Sequence, residues 1–396
     1  MKTDYDVITI GGGLGGSALA KVLAAKSLRI LVVEREARFS DRVRGEALAS
    51  WGVAEAQRIG LYDTLIEKCA HEAPYFEFVG MGPVRDLRAT TPQHLPGLAF
   101  YHPAMQEAVL DAARDAGAEV WRRAAVREVS PGEPPRVSVD HDGEVRTLTA
   151  RMVVCADGRS SAGRGWGGFA TMRGKPKLLG AGMLFENLSI DADISVGMIN
   201  PFLGRVAYLF PQGAGRVRAY LMYEKELPRL QGGNDSSRFV DECVKTGIPR
   251  ETYAGARPIG PLASFDMTET WVEHPYRAGV ALLGDAAGSS DPTWGQGLSL
   301  TLRDVRVLSD SLLATDDWDR VGHEYADARD RYFKRVITVA DWFFDLFFAR
   351  GSEADRRRKR ALPLLASEPA RVPDHFFSGL DLPCDEQVRR RLFGEI

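Results

Sequence analysis

The stretch Tyr5–Glu34, YDVITIGGGLGGSALAKVLAAKSLRILVVE, decides the fold class. Tyr5 to Ile10 is a short β-branched run that predicts a buried strand, the glycines at 11, 12, 13, 15 and 16 predict a tight turn, and the Ala/Leu-rich Ser17 to Lys26 predicts a helix. Arg29 to Val33 then predicts a second buried strand ending at Glu34. Gly11, Gly13 and Gly16 fit G-x-G-x-x-G, with Gly15 in the same turn, and Glu34 lies 23 residues after Gly11. Each spacing has a mechanical reason: the first glycine allows the turn, the second lets backbone approach a pyrophosphate, and the third lets the helix pack on the strand. The helix N-terminus offers unpaired N–H groups to phosphate, and the acid accepts hydrogen bonds from a ribose diol. These residues predict a Rossmann-like unit holding a dinucleotide, with the adjoining Arg35 in the binding set.

Working outward, the composition narrows the function class. With 44% hydrophobic and 27% charged residues, the chain is too apolar for disorder and too charged for a membrane bundle. Its 396 residues allow one to three domains with a cleft between them. Lys+Arg 51 against Asp+Glu 54 leaves a net charge of −3, which gives no attraction to nucleic acid or to an anionic membrane. Cys69, Cys155, Cys243 and Cys384 form no C-x-x-C, so neither a metal site nor a redox dithiol is expected. No run approaches the roughly 20 apolar residues of a membrane span, and the opening residues lack a signal-like apolar stretch. A cytoplasmic protein with a small-molecule ligand is expected.

The fingerprint does not distinguish FAD from NAD, and two later segments do. In MVVCADGRSSAGR (152–164), a strand over Met152 to Ala156 leads into Asp157 and Gly158, then Ser161 and Arg164. In GVALLGDAAGSSDPTWGQGLSL (279–300), a strand over Val280 to Leu283 leads into Gly284 and Asp285. Pro292, Gly295, Gln296 and Gly297 then open a helix carrying Arg303 and Asp304.

At these residues, in order from about residue 5 to about residue 330, the chain resembles the single-component FAD-dependent aromatic hydroxylases, the para-hydroxybenzoate hydroxylase superfamily of flavoprotein monooxygenases. The resemblance implies FAD as cofactor and NAD(P)H as a transient electron donor. It implies that Asp157 and Gly158 help hold FAD, and that Arg44, with Arg42 nearby, lies where the family contacts the pyrophosphate. It places His102 where the family commonly carries arginine or glutamine, and Pro292 beside the isoalloxazine ring. Read from the residues themselves, Asp285 is placed to accept a hydrogen bond from a sugar-alcohol hydroxyl such as the ribityl chain. Gly284 precedes it in the cofactor-binding set, Gly295 and Gly297 let backbone approach a flat ring, and the helix start at Leu298 and Ser299 can aim N–H groups at a ring carbonyl.

The expected architecture is α/β. A Rossmann-like FAD-binding domain takes residues 1–72, 100–172 and 275–335, and an inserted, mainly antiparallel β-sheet substrate domain takes 73–99 and 173–274. A C-terminal helical region, 336–396, follows. Met183 to Leu188, Arg205 to Pro211 and Arg216 to Glu224 read as strands, His102 to Ala113 as a helix, and Asp304 to Phe348 as one long helical stretch. Phe185, Tyr208, Phe210, Met222 and Phe265 are candidates for a pocket wall. By resemblance, Gln212 and Arg218 lie on the strand pair that grips a substrate carboxylate and touches the flavin. Only Arg218 keeps the expected type, and with no clear arginine at the gripping position a simple benzoate is disfavoured and a larger or neutral ligand fits better.

The resemblance implies a monooxygenase that uses NAD(P)H and O2 to hydroxylate an aromatic or polyketide-like substrate through a flavin C4a-hydroperoxide, with Pro292, Trp294 and Arg218 at the reacting centre. Trp294 is either a substrate wall or a packing anchor. The alternatives are an isoprenoid double-bond reductase, which shares the first motif and the GD segment, and a flavin halogenase, whose W-x-W-x-I-P run does not occur here. A non-catalytic nucleotide-fold binding module predicts broken motifs, and all three motifs are intact.

Overall fold

Strand Tyr5–Ile10 forms because alternate residues meet two different layers. Val7 packs into a core with helices Leu14–Ala24, His102–Asp115 and Gly297–Ala314, while Ile8 and Ile10 face a core containing Val129, Val137 and Val139. The computed structural model describes residues 3–43, 45–175, 177–232 and 235–396. Tyr5–Ile10 is the middle of five parallel strands ordered Glu119–Arg122, Ile30–Glu34, Tyr5–Ile10, Glu144–Cys155 and Val280–Leu282. Their carboxyl ends bring Ile10, Glu34 and Cys155 to one edge, where open α/β sheets bind ligands. The strand before Asp157 is longer than expected: Glu144–Cys155 begins in an antiparallel meander with Arg136–His141 and Ala125–Ser130, then turns parallel to Tyr5–Ile10.

A second eight-stranded sheet is antiparallel except where Ile194–Asn200 runs parallel to Tyr75–Phe78. Leu178–Glu186, Arg216–Glu224, Arg205–Pro211 and Ile194–Asn200 are consecutive neighbours in it, and Ala263–Asp266 pairs with Leu178–Glu186. One face, with Met183, Phe185, Leu209 and Leu221, is covered by helix Ser236–Thr246 through Phe239 and Cys243. Phe185 therefore packs on Phe239 and Tyr253 and is not a pocket residue; strand alternation sends it to the opposite face from Tyr208 and Phe210.

The stretch read as one helix is two, Gly297–Ala314 and Trp318–Phe347, with Asp317 accepting from the Arg320 N–H to cap the second. Beyond them, Ser352–Ser367, His375–Ser378 and Glu386–Leu392 complete a C-terminal helical region. Among the described residues no helix is long and apolar enough to cross a membrane.

Candidate functional site

A cavity of about 690 Å³ opens at the carboxyl edge of the parallel sheet and runs to the inserted sheet. Its first wall is the glycine turn. Gly11 holds φ +98°, and a Cβ there would lie 2.5 Å from the Ala156 carbonyl oxygen; one on Gly16 would lie 2.1 Å from the Gly11 carbonyl oxygen. Both positions exclude any side chain, because backbone atoms cannot yield. Gly16 serves this close helix–strand packing and is not a lining residue, whereas Gly11, Gly13 and Gly15 face the cavity. At Gly13 an added Cβ would meet only Gln106 Nε2, at 3.4 Å, so the backbone at the helix start is open to a ligand.

Glu34 ends its strand with Oε2 accepting the Gly12 N–H at 2.7 Å and Oε1 accepting the Glu36 N–H at 2.8 Å. It lines the cavity beside Arg35, and its carboxylate also fastens the turn. Asp157 and Gly158 line it too, with the Asp157 carboxylate accepting from Ser161 Oγ at 2.5 Å and the Gly163 N–H at 3.1 Å. Gly284 and Asp285 follow, and buried Arg164 donates to the Asp285 and Ala286 carbonyls, each at 2.7 Å. Burial lowers the Arg164 pKa from its ordinary value. His102 opens its helix and pairs through Nδ1 with the Gly45 carbonyl at 2.7 Å. Arg44 lies outside the described residues.

The loop after Ser290 forms the middle of the cavity. Asp291 accepts the Thr293 N–H at 2.9 Å and caps the turn Pro292–Trp294; burial raises its pKa. Gly295 takes φ +60°, and Pro292, Thr293, Gly295, Gly297 and Leu298 line the cavity. Trp294 does not. Its ring lies 4.6 Å from that of Phe343 and 6.1 Å from that of Phe348, so packing against the end of helix Trp318–Phe347 holds it out of the cavity lining. Ser299 is fully buried against Gly52 and also stands behind the wall.

The far wall is the second face of the inserted sheet: Tyr208, Phe210, Tyr220, Met222 and Phe265. Glycines at 180 and 182 make room for it, since Cβ atoms there would fall 2.5 Å from Phe265 and 2.7 Å from Tyr220. Arg218 is on this face but not in the wall. It is fully buried, with Nη2 2.7 Å from Asp41 Oδ2 and 3.3 Å from Glu46 Oε1. The Asp41 carboxylate and the Glu46 carboxyl group thus surround the cation that the resemblance suggested for substrate. Burial pushes the Glu46 carboxyl up to about 8, against the lowering effect of Arg218, and Gln212 Nε2 donates to its other oxygen.

Sequence reasoning missed several lining residues. Phe376 comes from the C-terminal segment, where a docked helical turn leaves no motif. Glu46 lines the cavity from the loop after the second strand, and only its burial marks it out. Tyr220 was signalled by alternation with Met222 on the same strand.

The open backbone at Gly13, the acid at the end of the second strand and the length of the cavity fit a dinucleotide such as FAD. A family model described as FAD binding domain matches residues 4–332. The digeranylgeranylglycerophospholipid reductase of Methanocella arvoryzae is 25% identical over 395 residues, spanning 96% of this chain and 93% of its own length. Squalene monooxygenase of Mus musculus is 23% identical, spanning 95% of this chain and 71% of its own. Of solved structures, p-nitrophenol 4-monooxygenase PnpA from Pseudomonas putida superposes with a TM-score of 0.77 at 21% identity, covering 100% of this chain and 98% of that one. The anhydrotetracycline hydroxylase OxyS from Streptomyces rimosus gives 0.74 at 21%, covering 96% and 77%. The FAD-binding model spans most of the chain, and this protein therefore belongs to the family of that FAD binding domain, with FAD as its cofactor.

Proposed function

We propose that the protein is an FAD-dependent monooxygenase that uses NAD(P)H and O2 to hydroxylate a neutral, electron-rich aromatic or polyketide-like small molecule. The observation that carries this reading is the continuity of one cavity from the glycine turn, past Pro292 and Gly295, to the aromatic face of the inserted sheet. Bound FAD supplies the exchange of electrons with NAD(P)H and O2.

The chain's own residues bind, orient and exclude water. Gly11, Gly13 and Gly15 hold the pyrophosphate at the start of helix Leu14–Ala24, where unpaired N–H groups favour an anion. Glu34 takes a ribose hydroxyl, with Arg35, Asp157, Gly158 and His102 around it, and Asp285 takes the ribityl chain beside Gly284. Gly297 and Leu298 open a helix whose first N–H groups favour negative charge on a ring carbonyl. Pro292 and Gly295 bring backbone against the ring.

On the substrate side, Tyr208, Phe210, Tyr220, Met222 and Phe265 supply a dry, flat-sided wall. Tyr208 Oη and Thr293 Oγ1 are buried and have no hydrogen-bond partner among the described residues, which supports a substrate bearing oxygen on its ring. Arg218 is fully buried and lies outside the cavity lining, so the aromatic wall offers a free carboxylate no cation, which supports a neutral ligand. NADPH oxidation and O2 uptake across a panel of phenols and polyketide-derived quinones test the reading. Stimulation of both, with an oxygenated product, is expected.

A second reading, reduction of an isoprenoid double bond, is favoured by the archaeal reductase that aligns over 96% of the chain. It expects an alkane product with no added oxygen and no dependence on O2.

A further inference from the structure

The family model ends at residue 332, yet the cavity wall includes Phe376, 44 residues further on. Phe376 sits in the turn His375–Ser378, which is tied down on both sides. Arg85 donates to both Asp374 carboxylate oxygens at 2.6 and 2.8 Å, and Gln93 Nε2 donates to the Ser378 carbonyl at 2.8 Å. Gln296 Nε2 donates to the Phe376 carbonyl at 3.4 Å, and the Phe377 ring packs 4.9 Å from that of Phe76. The Phe376 ring adds contacts to Phe377 at 4.3 Å and Phe76 at 5.8 Å, but the ties through Arg85, Gln93 and Gln296 do not use it.

Behind Phe376 lies a second void of about 40 Å³, walled chiefly by apolar side chains such as Phe76, Leu87 and Leu98. Four residues belong to the walls of both spaces: Ala47, Phe210, Gly295 and Phe376. Ala47 and Gly295 present almost no side chain, and a Cβ on Gly295 would lie 2.9 Å from the Phe376 ring. The ring therefore rests on the loop that forms the middle of the ligand cavity.

We propose that Phe376 is a specificity-determining residue: its ring, beside that of Phe210, forms the partition that ends the ligand cavity and sets how many fused rings a substrate carries. This rests on the reading of an aromatic ligand at that wall. Shortening the side chain joins the two spaces and lengthens the site, while the strap stays docked through Arg85, Gln93 and Phe377.

The test uses the holoenzyme as wild type, Phe376→Leu and Phe376→Ala. Each form is checked for equal FAD content and melting temperature, and each is titrated calorimetrically with phenol, 1-naphthol and 1-anthrol. The partition predicts that the ratio of Kd for phenol to Kd for 1-anthrol rises at least ~10-fold in Phe376→Ala and less in Phe376→Leu, because a pocket boundary discriminates ligands by size. Equal weakening of all three ligands, or no change, overturns it. A shift in ring preference without ligand-stimulated O2 uptake removes the monooxygenase reading and leaves the partition standing. Failure of all three ligands to bind any form overturns both.

Discussion

The two halves of the cavity are built by different means. The cofactor half is backbone: glycines at fixed spacing, helix starts and strand ends, with positions such as Gly16 where a Cβ would meet a carbonyl oxygen at 2.1 Å. The substrate half is side chains drawn from distant segments: Tyr208 and Phe210 from one strand, Tyr220 and Met222 from its neighbour, Phe265 from a third and Phe376 from the C-terminal strap. Backbone construction tolerates almost no substitution, whereas a wall of side chains can be reshaped without losing the fold. The glycines of the cofactor half therefore predict all-or-none mutational effects, and side-chain positions in either half predict graded ones.

The largest expected effect is at the glycine turn. Gly16→Ala sets a methyl against the Gly11 carbonyl, and we expect a loss of at least ~4 kcal/mol in stability together with the flavin. Flavin content and a thermal melt read this directly; a yellow protein with a normal melt would break the contrast. Next is Arg218→Leu, which leaves Asp41 and Glu46 buried without their cation and is expected to cost about 3–5 kcal/mol in urea unfolding. Adding Asp41→Asn should return part of that loss. Trp294→Ala removes a ring packed on Phe343 and Phe348, at about 3 kcal/mol, and loosens the loop that carries Pro292, so FAD affinity falls with stability. Uncoupled peroxide release with full FAD retention would instead return Trp294 to the wall.

Smaller effects separate binding from folding. Asp285→Ala should weaken FAD by about 1–3 kcal/mol with little change in the melt, as judged by FAD titration of the apoprotein. A separate effect concerns pH. Glu46 moves from an ordinary 4.5 to about 8 in the fold, so the folded state binds its proton more tightly than the unfolded state. Its contribution is complete below pH 4.5 and is lost as pH rises to about 8, so stability declines across that window. Glu269, raised to about 7 by burial, has the same sign, and the informative quantity is the difference between wild type and Glu46→Gln. The variant should show the shallower decline.

The same contrast explains what was legible in the sequence. A glycine that must be a glycine leaves a fixed spacing, so the strand–turn–helix of Tyr5–Ala24 and the loop around Gly284 and Gly295 could be read from residue type alone. Alternation placed Tyr208 and Phe210, but the sign of a face is invisible without its covering helix, which is why Phe185 falls under Phe239. Arg218 looked like a ligand contact because nothing local announced Asp41, 177 positions away, as its partner. Glu34 looked dedicated to a ribose, yet its oxygens also fasten the Gly12 and Glu36 amides, so Glu34→Ala should loosen the turn as well as weaken FAD. Phe376 had no motif to find, because a docked strap needs only apolar residues and one well-placed carboxylate, Asp374.

The central claim, that the two halves cooperate to transfer oxygen, is tested most directly by the fate of the oxygen atom. The holoenzyme is supplied with NADPH, isotopically labelled O2 and the phenol or quinone that most stimulates NADPH oxidation, and the product is weighed by mass spectrometry. The account predicts a product carrying one labelled oxygen atom from O2. A product that has gained two hydrogens and no label, formed equally well without O2, would contradict it.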